Sequence, residues 1–193
     1  MTITQSDLTR TATDVRSGAT VWLTGLPSAG KTTLALALAD RLRTDGVDVE
    51  VLDGDEVRTH LSAGLGFSRA DRDTHVDRIG FVAELLARHG VVVLVPVIAP
   101  YADARDKVAA HHRSRGTRLL QVHVSTPVET CAERDVKGLY GRAFRGEITG
   151  MTGVDDPYEV PVAPDLRIDT VGIDEAAAVE QLLHLLHENG VIR

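Results

Sequence analysis

The chain has 193 residues, of which 43% are hydrophobic and 25% charged, which fits one globular domain with a sizeable core. A formal net charge of −7 argues against a general nucleic-acid or membrane-surface binder, because such proteins usually carry excess Lys and Arg. The single cysteine, Cys131, excludes an internal disulfide, and no apolar run or signal peptide indicates export, so a cytoplasmic protein is expected.

Secondary structure is predicted from the hydrophobic pattern in chain order. Residues 1–18 show no sustained period and are expected to form a mobile arm before a single domain spanning 19–193. From there, short aliphatic runs alternate with longer helical patterns. Strands are expected at 20–24, 47–52, 91–97, 119–124 and 166–168, and helices at 31–43, 69–88, 103–115, 128–134 and 174–187.

The predicted strands are nearly continuous runs of Val, Ile and Leu, which is typical of strands buried on both faces. Together with the intervening helices they predict an α/β fold, with a parallel sheet of about five strands and helices on both faces. The segment 137–164 breaks this rhythm with five glycines and three prolines. It is expected to be a functional lid, with a disordered loop as the alternative. We call it the lid segment.

A phosphate-binding loop follows the first predicted strand. The pattern Gly25-x-x-x-x-Gly30-Lys31-Thr32 is the Walker A motif of P-loop NTPases, in which loop amides and the next helix N-terminus surround phosphates. Lys31 is expected to reach the β- and γ-phosphates of a nucleoside triphosphate, and the Thr32 hydroxyl to hold Mg²⁺. The predicted ATP-binding residues in and beside this loop are Gly25, Ser28, Ala29, Gly30, Lys31, Thr32 and Thr33.

Two carboxylates follow the second predicted strand, in the sequence Asp53-Gly54-Asp55. Ligands of open parallel sheets bind at the carboxyl ends of the strands, so both side chains are expected at the ligand crevice. There Asp53 or Asp55 could orient an acceptor hydroxyl, take its proton, or hold Mg²⁺ through water. The alternative is a turn with an N-cap for the next helix. The guanine-reading motif of GTPases is missing, which favours a small kinase.

The sequence resembles the adenylylsulfate (APS) kinase family from residue 18 to residue 170. The family transfers the γ-phosphoryl group of Mg-ATP to the 3'-hydroxyl of APS, giving PAPS and ADP, and the resemblance also implies a homodimer. The segments that carry it, in the family's order, are ATVWLTGLPSAGKTT, LDGDEVRTHLSAGLGFSRADR, VIAPYADARD, ERDVKGLY and GEITGMTGVDDPYEVP.

The resemblance also implies site residues. Lys31, Asp53 and Asp55 are the catalytic candidates, with Thr32 and Asp53 at the metal and Arg134 beside ATP. Arg134, Arg142 and Arg145 are candidates to stabilise charge on the transferred group. Arginines and an aromatic ring also suit an anionic purine nucleotide on chemical grounds alone. The APS-binding candidates are Asp55, Arg58, Phe67, Arg72, His75, Ile98, Ala99, Lys137, Gly150 and Met151.

Three positions depart from the family pattern. Ala99 replaces a serine proposed in some members as a phosphorylated intermediate, so direct in-line transfer is expected. Met151 replaces a phenylalanine that covers the adenine of APS, and a thioether can still lie on a purine face. His75 replaces an asparagine. The alternatives are therefore a P-loop kinase for another nucleotide or small metabolite, and a nucleotide-binding regulatory module.

Overall fold

A computed structural model describes residues 18–193, so most of the predicted mobile arm lies outside the described residues. Within residues 18–193, no helix combines the length and apolar character needed to span a membrane. The strands in this range are β1 (Ala19–Thr24), β2 (Val49–Val51), β3 (Val92–Pro96), β4 (Arg118–Val124) and β5 (Leu166–Ile168). The helices are α1 (Lys31–Thr44), α2 (Gly54–Leu61), α3 (Arg69–Arg88), α4 (Ala102–Ser114), α5 (Val128–Arg134), α6 (Leu139–Phe144) and α7 (Glu175–Glu188).

The five strands form one parallel sheet in the order β2-β3-β1-β4-β5. β1 is the central strand, with β3 and β2 on one side of it and β4 and β5 on the other. Parallel strands end at the same edge, which places the loops after β1, β2 and β3 beside one another. The predicted α/β fold with a five-stranded parallel sheet and flanking helices is confirmed.

Alternate residues of the central strands enter two separate cores, which explains why the strands are apolar throughout. Val21 and Leu23 of β1 pack in a cluster that includes Leu38 of α1 and Leu182 of α7. Trp22, between them, packs in a second cluster with residues of α3 and α4 on the opposite face. Burial on both faces leaves no position in β1 for an exposed polar side chain, since all six residues are buried.

Two short helices were not predicted. α2 begins within the Asp53-Gly54-Asp55 turn and buries only Gly54 and Val57, too few residues for a recognisable helical period. α6 lies inside the lid segment, and the carboxylate of Asp135 caps its start by accepting from the amides of Tyr140 and Gly141, both at 2.9 Å. The lid segment therefore contains defined structure rather than an irregular loop throughout.

Candidate active site

One cavity of about 890 Å³ opens at the carboxyl ends of β1, β2 and β3. It is lined by the phosphate loop, the start of α2, the beginning of α3, the turn after β3 and the start of the lid segment. The predicted site residues in its wall are Ser28, Ala29, Gly30, Lys31, Thr32, Thr33, Asp53, Asp55, Arg58, Phe67, Arg72, His75, Ile98, Ala99, Arg134 and Lys137. Residues from five separate parts of the sequence thus face one space.

The phosphate loop is shaped by close approach to β4 and by positive backbone angles. A side chain at Gly25 would lie 2.4 Å from the carbonyl oxygen of Val124, so only glycine fits there. Ser28 and Gly30 have φ of +60° and +101°, which turns the chain sharply into α1. No side chain caps α1 at Gly30, so the first amides of the helix are available to an anion.

Lys31 is folded back onto its own loop. Its Nζ donates hydrogen bonds to the carbonyl oxygens of Gly25 and Leu26, at 3.0 and 2.7 Å. Burial lowers the pKa of Lys31 from 10.5 to about 8, because the surrounding loop removes water from the ammonium group. A phosphate beside Nζ would favour the charged form, so the site holds a cation suited to a polyanionic ligand.

Asp53 caps a helix and also contacts the phosphate loop. Its Oδ1 accepts from the amide of Asp55 at 2.9 Å and caps α2, while its Oδ2 accepts from the Thr32 hydroxyl at 2.8 Å. The cap predicted as an alternative to a site role and the contact with the phosphate loop are therefore present together. Hydroxyl and carboxylate oxygens are ligands that Mg²⁺ prefers, so this pair fits that ion.

Arg58 and Phe67 form one face of the cavity, which we call the acceptor face after the role predicted for it from the sequence. The Arg58 guanidinium lies over the Phe67 ring, 4.7 Å from its centroid, and donates to the carbonyl oxygen of Gly66 at 3.0 Å. Phe67 is 66% exposed and lines the cavity. An exposed ring with a cation held against it offers a stacking surface for a base or another flat group.

Arg72 is 9% exposed, and its guanidinium is bonded within the protein. Its Nε donates to the Phe67 carbonyl oxygen at 2.8 Å and its Nη1 to the Thr152 hydroxyl at 2.8 Å. Its Nη2 donates to the carbonyl oxygen of Gly150, and Asp156 lies at 4.0 Å. Arg72 therefore ties the acceptor face to the lid segment while still reaching the cavity wall.

His75 connects α3 to the start of α2. Its Nε2 lies 3.0 Å from the Gly54 carbonyl oxygen and its Nδ1 lies 3.1 Å from the Ser62 hydroxyl. Because a carbonyl only accepts, Nε2 carries the proton and Nδ1 accepts from Ser62. Burial, with a contribution from Arg58, lowers the pKa of His75 to about 4. The neutral ring thus supports the turn that carries Asp53 and Asp55.

The lid segment reaches across the cavity through Lys137, whose ammonium pairs with the carboxylate of Asp55. Arg134, just before the lid, donates to the hydroxyl and carbonyl oxygens of Thr170 at 2.9 and 3.3 Å. Arg142 and Arg145, in contrast, both pair with Glu147 and are not part of the cavity wall. Of the three arginines predicted to stabilise charge on the transferred group, Arg134 is the one that lines the cavity, and its role stays a prediction.

Gly25, Gly150 and Met151 are predicted site residues that do not line the cavity. Gly25 lies beneath the loop, where its carbonyl holds Lys31. Met151 is 6% exposed and belongs to the buried core cluster that also contains residues of α1 and α7. In this structure its thioether is not on the cavity wall, so its role as an adenine cover stays a prediction.

Sequence reasoning missed a hydroxyl pair beneath the phosphate loop. Thr126 donates to the Ala29 carbonyl oxygen at 2.8 Å, and Thr170 lies 2.6 Å from Thr126. Thr170 also lines the cavity beside Arg134. Both residues follow predicted strands closely, and their position at the carboxyl ends of β4 and β5 was the signal that could have identified them.

Comparison with known proteins adds to this geometry. A family model described as adenylylsulphate kinase matches residues 17–169. An adenylyl-sulfate kinase of Chloroflexus aurantiacus is 56% identical over 171 residues, covering 89% of this chain and 88% of that protein.

Solved structures agree with that match. The APS kinase of Mycobacterium tuberculosis in complex with AMPPNP and APS is 42% identical, with a TM-score of 0.86 over 89% of this chain and 98% of that chain. A hexameric APS kinase from Thiobacillus denitrificans is 39% identical, with a TM-score of 0.71 over 92% of this chain and 30% of that chain.

Proposed function

The chain belongs to the adenylylsulfate kinase family, and on that premise we propose how its own residues transfer the γ-phosphoryl group of ATP to the 3'-hydroxyl of APS, giving PAPS and ADP. One observation carries the proposal. A single cavity joins a phosphate loop, two carboxylates and an exposed aromatic ring with a cation against it. These are the parts that a triphosphate donor, a hydroxyl acceptor and an anionic nucleotide require.

The donor side consists of the phosphate loop and α1. The first amides of α1 and the Lys31 ammonium bind the β- and γ-phosphates, and Lys31 leaves the carbonyl oxygens of Gly25 and Leu26 to do so. Arg134, held by Thr170, lies beside Gly30 of the loop, where a flat guanidinium suits the adenine ring of ATP. The amides at the start of α1 are already oriented toward the charge that builds on the transferred group.

The acceptor side places the ribose hydroxyl near Asp53 and Asp55. The hydroxyl oxygen bonds to the γ-phosphorus while the bond from that phosphorus to the β–γ bridging oxygen breaks, and ADP carries away the released charge. The hydroxyl proton passes to one of the two carboxylates. Arg58 and Lys137 bind the phosphosulfate, and Phe67 stacks on the base of APS.

Magnesium is part of the proposal, with Thr32 and Asp53 as the residues that would hold it. Bound there with the phosphates, the ion would neutralise charge on the β- and γ-phosphoryl oxygens. The 2.8 Å contact between the two side chains supports this assignment, because both oxygens already point at one another beside the loop.

The test is an assay of ADP release under three conditions in parallel. The first contains APS, the second a panel of nucleosides and simple polyols, and the third no acceptor. APS is expected to stimulate ADP release well above the acceptor-free rate, with PAPS formed in equal amount. A different acceptor that stimulates better than APS would establish the alternative kinase, for which the burial of Met151 is the specific observation. Equal rates with and without every acceptor would establish a nucleotide-hydrolysing regulatory module.

We also propose a homodimeric cytoplasmic enzyme, as the family resemblance and composition predict. Cys131 is a buried free thiol, which suits a reducing compartment. Light scattering on the purified protein measures the oligomer directly, and a mass of two chains is expected. A hexamer, as described for the Thiobacillus denitrificans relative, or a monomer would contradict the dimer.

A further inference from the structure

Arg105, on α4, is a buried cation that bonds two distant stretches of main chain. Only 3% of the residue is exposed. Its Nη1 donates to the carbonyl oxygen of Ala99 at 2.7 Å and its Nη2 to the carbonyl oxygen of Glu159 at 2.5 Å. The guanidinium also lies 5.8 Å from the centroid of the Tyr158 ring. Burying a cation is costly unless its donors are satisfied, so these contacts explain how it is accommodated.

The first of those stretches is the cavity wall after β3. Ala99 lies in this wall between Ile98 and Pro100, is 1% exposed and has φ of +42°. A left-handed backbone is unfavourable for a residue with a β-carbon. Such a conformation persists only where the surroundings enforce it. The hydrogen bond from Arg105 to the Ala99 carbonyl oxygen is a contact that enforces it directly.

The second stretch is residues 155–159 of the lid segment, which we call the lid stem. The Glu159 amide donates to the Pro100 carbonyl oxygen at 2.8 Å, and the Glu159 carboxylate accepts from the Ala102 amide at 2.6 Å. Tyr101 donates to Asp156 at 3.0 Å. The lid stem therefore pairs with the turn that leads from the cavity wall into α4, and Glu159 supplies the cap that Tyr101 does not give to this helix.

We propose that Arg105 is a positioning residue for phosphoryl transfer, which holds Ala99 in its left-handed conformation and joins the acceptor wall to the lid stem. The inference rests on the proposed function, because it concerns where the acceptor sits. It assigns Arg105 no contact with substrate. Loss of the two hydrogen bonds should let the wall at Ala99 relax, so that the acceptor hydroxyl is misplaced while the ATP site beyond Lys31 keeps its shape.

The experiment compares Arg105→Met and Arg105→Lys with the matched control Arg113→Met, an exposed arginine on the same helix. Arg105→Met should raise the KM for APS by about tenfold or more and change the KM for ATP by about twofold or less, since small misplacements are costly. Arg105→Lys, which can keep one of the bonds, should fall between. Adding Ala99→Gly to Arg105→Met should restore part of the loss, because glycine adopts positive φ freely. Arg113→Met should match the parent.

Equal losses for both substrates, or no rescue by Ala99→Gly, would overturn the positioning role. Hydrogen exchange at the Ala102 and Glu159 amides provides a readout that does not depend on catalysis. If Arg105→Met does not fold, Arg105→Lys is used for this measurement. Both amides should exchange faster in the variant while those of β1 stay protected. Unchanged exchange would overturn the inference whatever the substrate, whereas failure of APS to stimulate the parent would count against the proposed function alone.

Discussion

The hydroxyl of Thr32 donates to Oδ2 of Asp53 across 2.8 Å, joining the start of α1 to the start of α2. Because α1 begins at the phosphate loop and α2 begins at the two carboxylates, this contact connects the donor side of the cavity with the acceptor side. In the proposed function, the distance between a bound phosphate and an acceptor hydroxyl would therefore be set by two helix N-termini whose side chains touch.

Substitution of Asp53 can separate its two roles. Asp53→Asn keeps an oxygen that can cap α2 but removes the charge, so kcat should fall by about 10²-fold or more, with the free energy of unfolding changed by less than about 0.5 kcal/mol. Asp53→Ala loses the cap as well and should cost about 1 kcal/mol of stability. Urea unfolding and ADP release measure the two effects. An Asn variant with near-parental kcat would remove Asp53 from the chemistry.

Activity should decline at high pH as Lys31 loses its proton. Burial gives this lysine a pKa of about 8, so kcat/KM for ATP, which reflects the free enzyme, should fall above about pH 8. Bound phosphate favours the ammonium, so the fall in kcat should occur at higher pH. Lys31→Arg stays charged and should lose the decline at reduced overall activity, and Lys31→Ala should lose transfer by several orders of magnitude. A decline that persists in Lys31→Arg would assign it to another group.

Local patterns predicted the loop at Gly25 to Thr32 from its motif and the strands from their continuous apolar runs. Those patterns are readable in short segments even though the strands themselves pair with residues far along the chain. The burial of Met151 could not be predicted from the sequence. The residue before it, Gly150, has φ of +70°, and neighbouring residues do not determine the direction of the chain after such a turn. Arg105 went unnoticed because its partners are Ala99 and Glu159, and the latter is distant in sequence.

His75 should make stability depend on pH in the acid range. Its pKa is about 4 in the folded protein against about 6.5 unfolded, so between these values the unfolded chain binds a proton that the folded chain does not. The contribution of His75 to the free energy of unfolding is therefore complete above pH 6.5 and is lost as the pH falls to 4. The free energy of unfolding changes by no more than about 1.4 kcal/mol per pH unit in this range.

The check is His75→Asn, measured by urea unfolding at several pH values. Asparagine can bond the Gly54 carbonyl oxygen and the Ser62 hydroxyl without titrating, so the pH dependence should become shallower. His123, whose pKa is also lowered to about 4 by burial, is unchanged in this variant and should preserve part of the slope. An identical slope in parent and variant would show that His75 does not titrate as the structure indicates.

Transfer should proceed without a phosphorylated protein intermediate at the turn after β3. Ala99 has no hydroxyl, so no phosphoserine can form at the position where some relatives are proposed to carry one. Incubation with γ-labelled ATP should leave no acid-stable label on the protein, while label appears in PAPS. Ala99→Ser, which supplies the hydroxyl, is the matched comparison. Stoichiometric label on the parent protein during turnover would contradict direct transfer.

Phe67 and Phe81 offer a controlled test of the acceptor face, because both rings are exposed on the surface, 66% and 56% respectively, and only Phe67 lines the cavity. If Phe67 stacks on the base of APS, Phe67→Ala should raise the KM for APS by about tenfold, corresponding to the ~1–3 kcal/mol typical of base stacking. The KM for ATP should be unaffected, and Phe81→Ala should match the parent for both substrates. Arg58, whose guanidinium lies over the Phe67 ring, should behave like Phe67 when replaced by alanine. Equal changes for ATP and APS in Phe67→Ala would mean that the ring supports the fold of the cavity rather than recognising the acceptor.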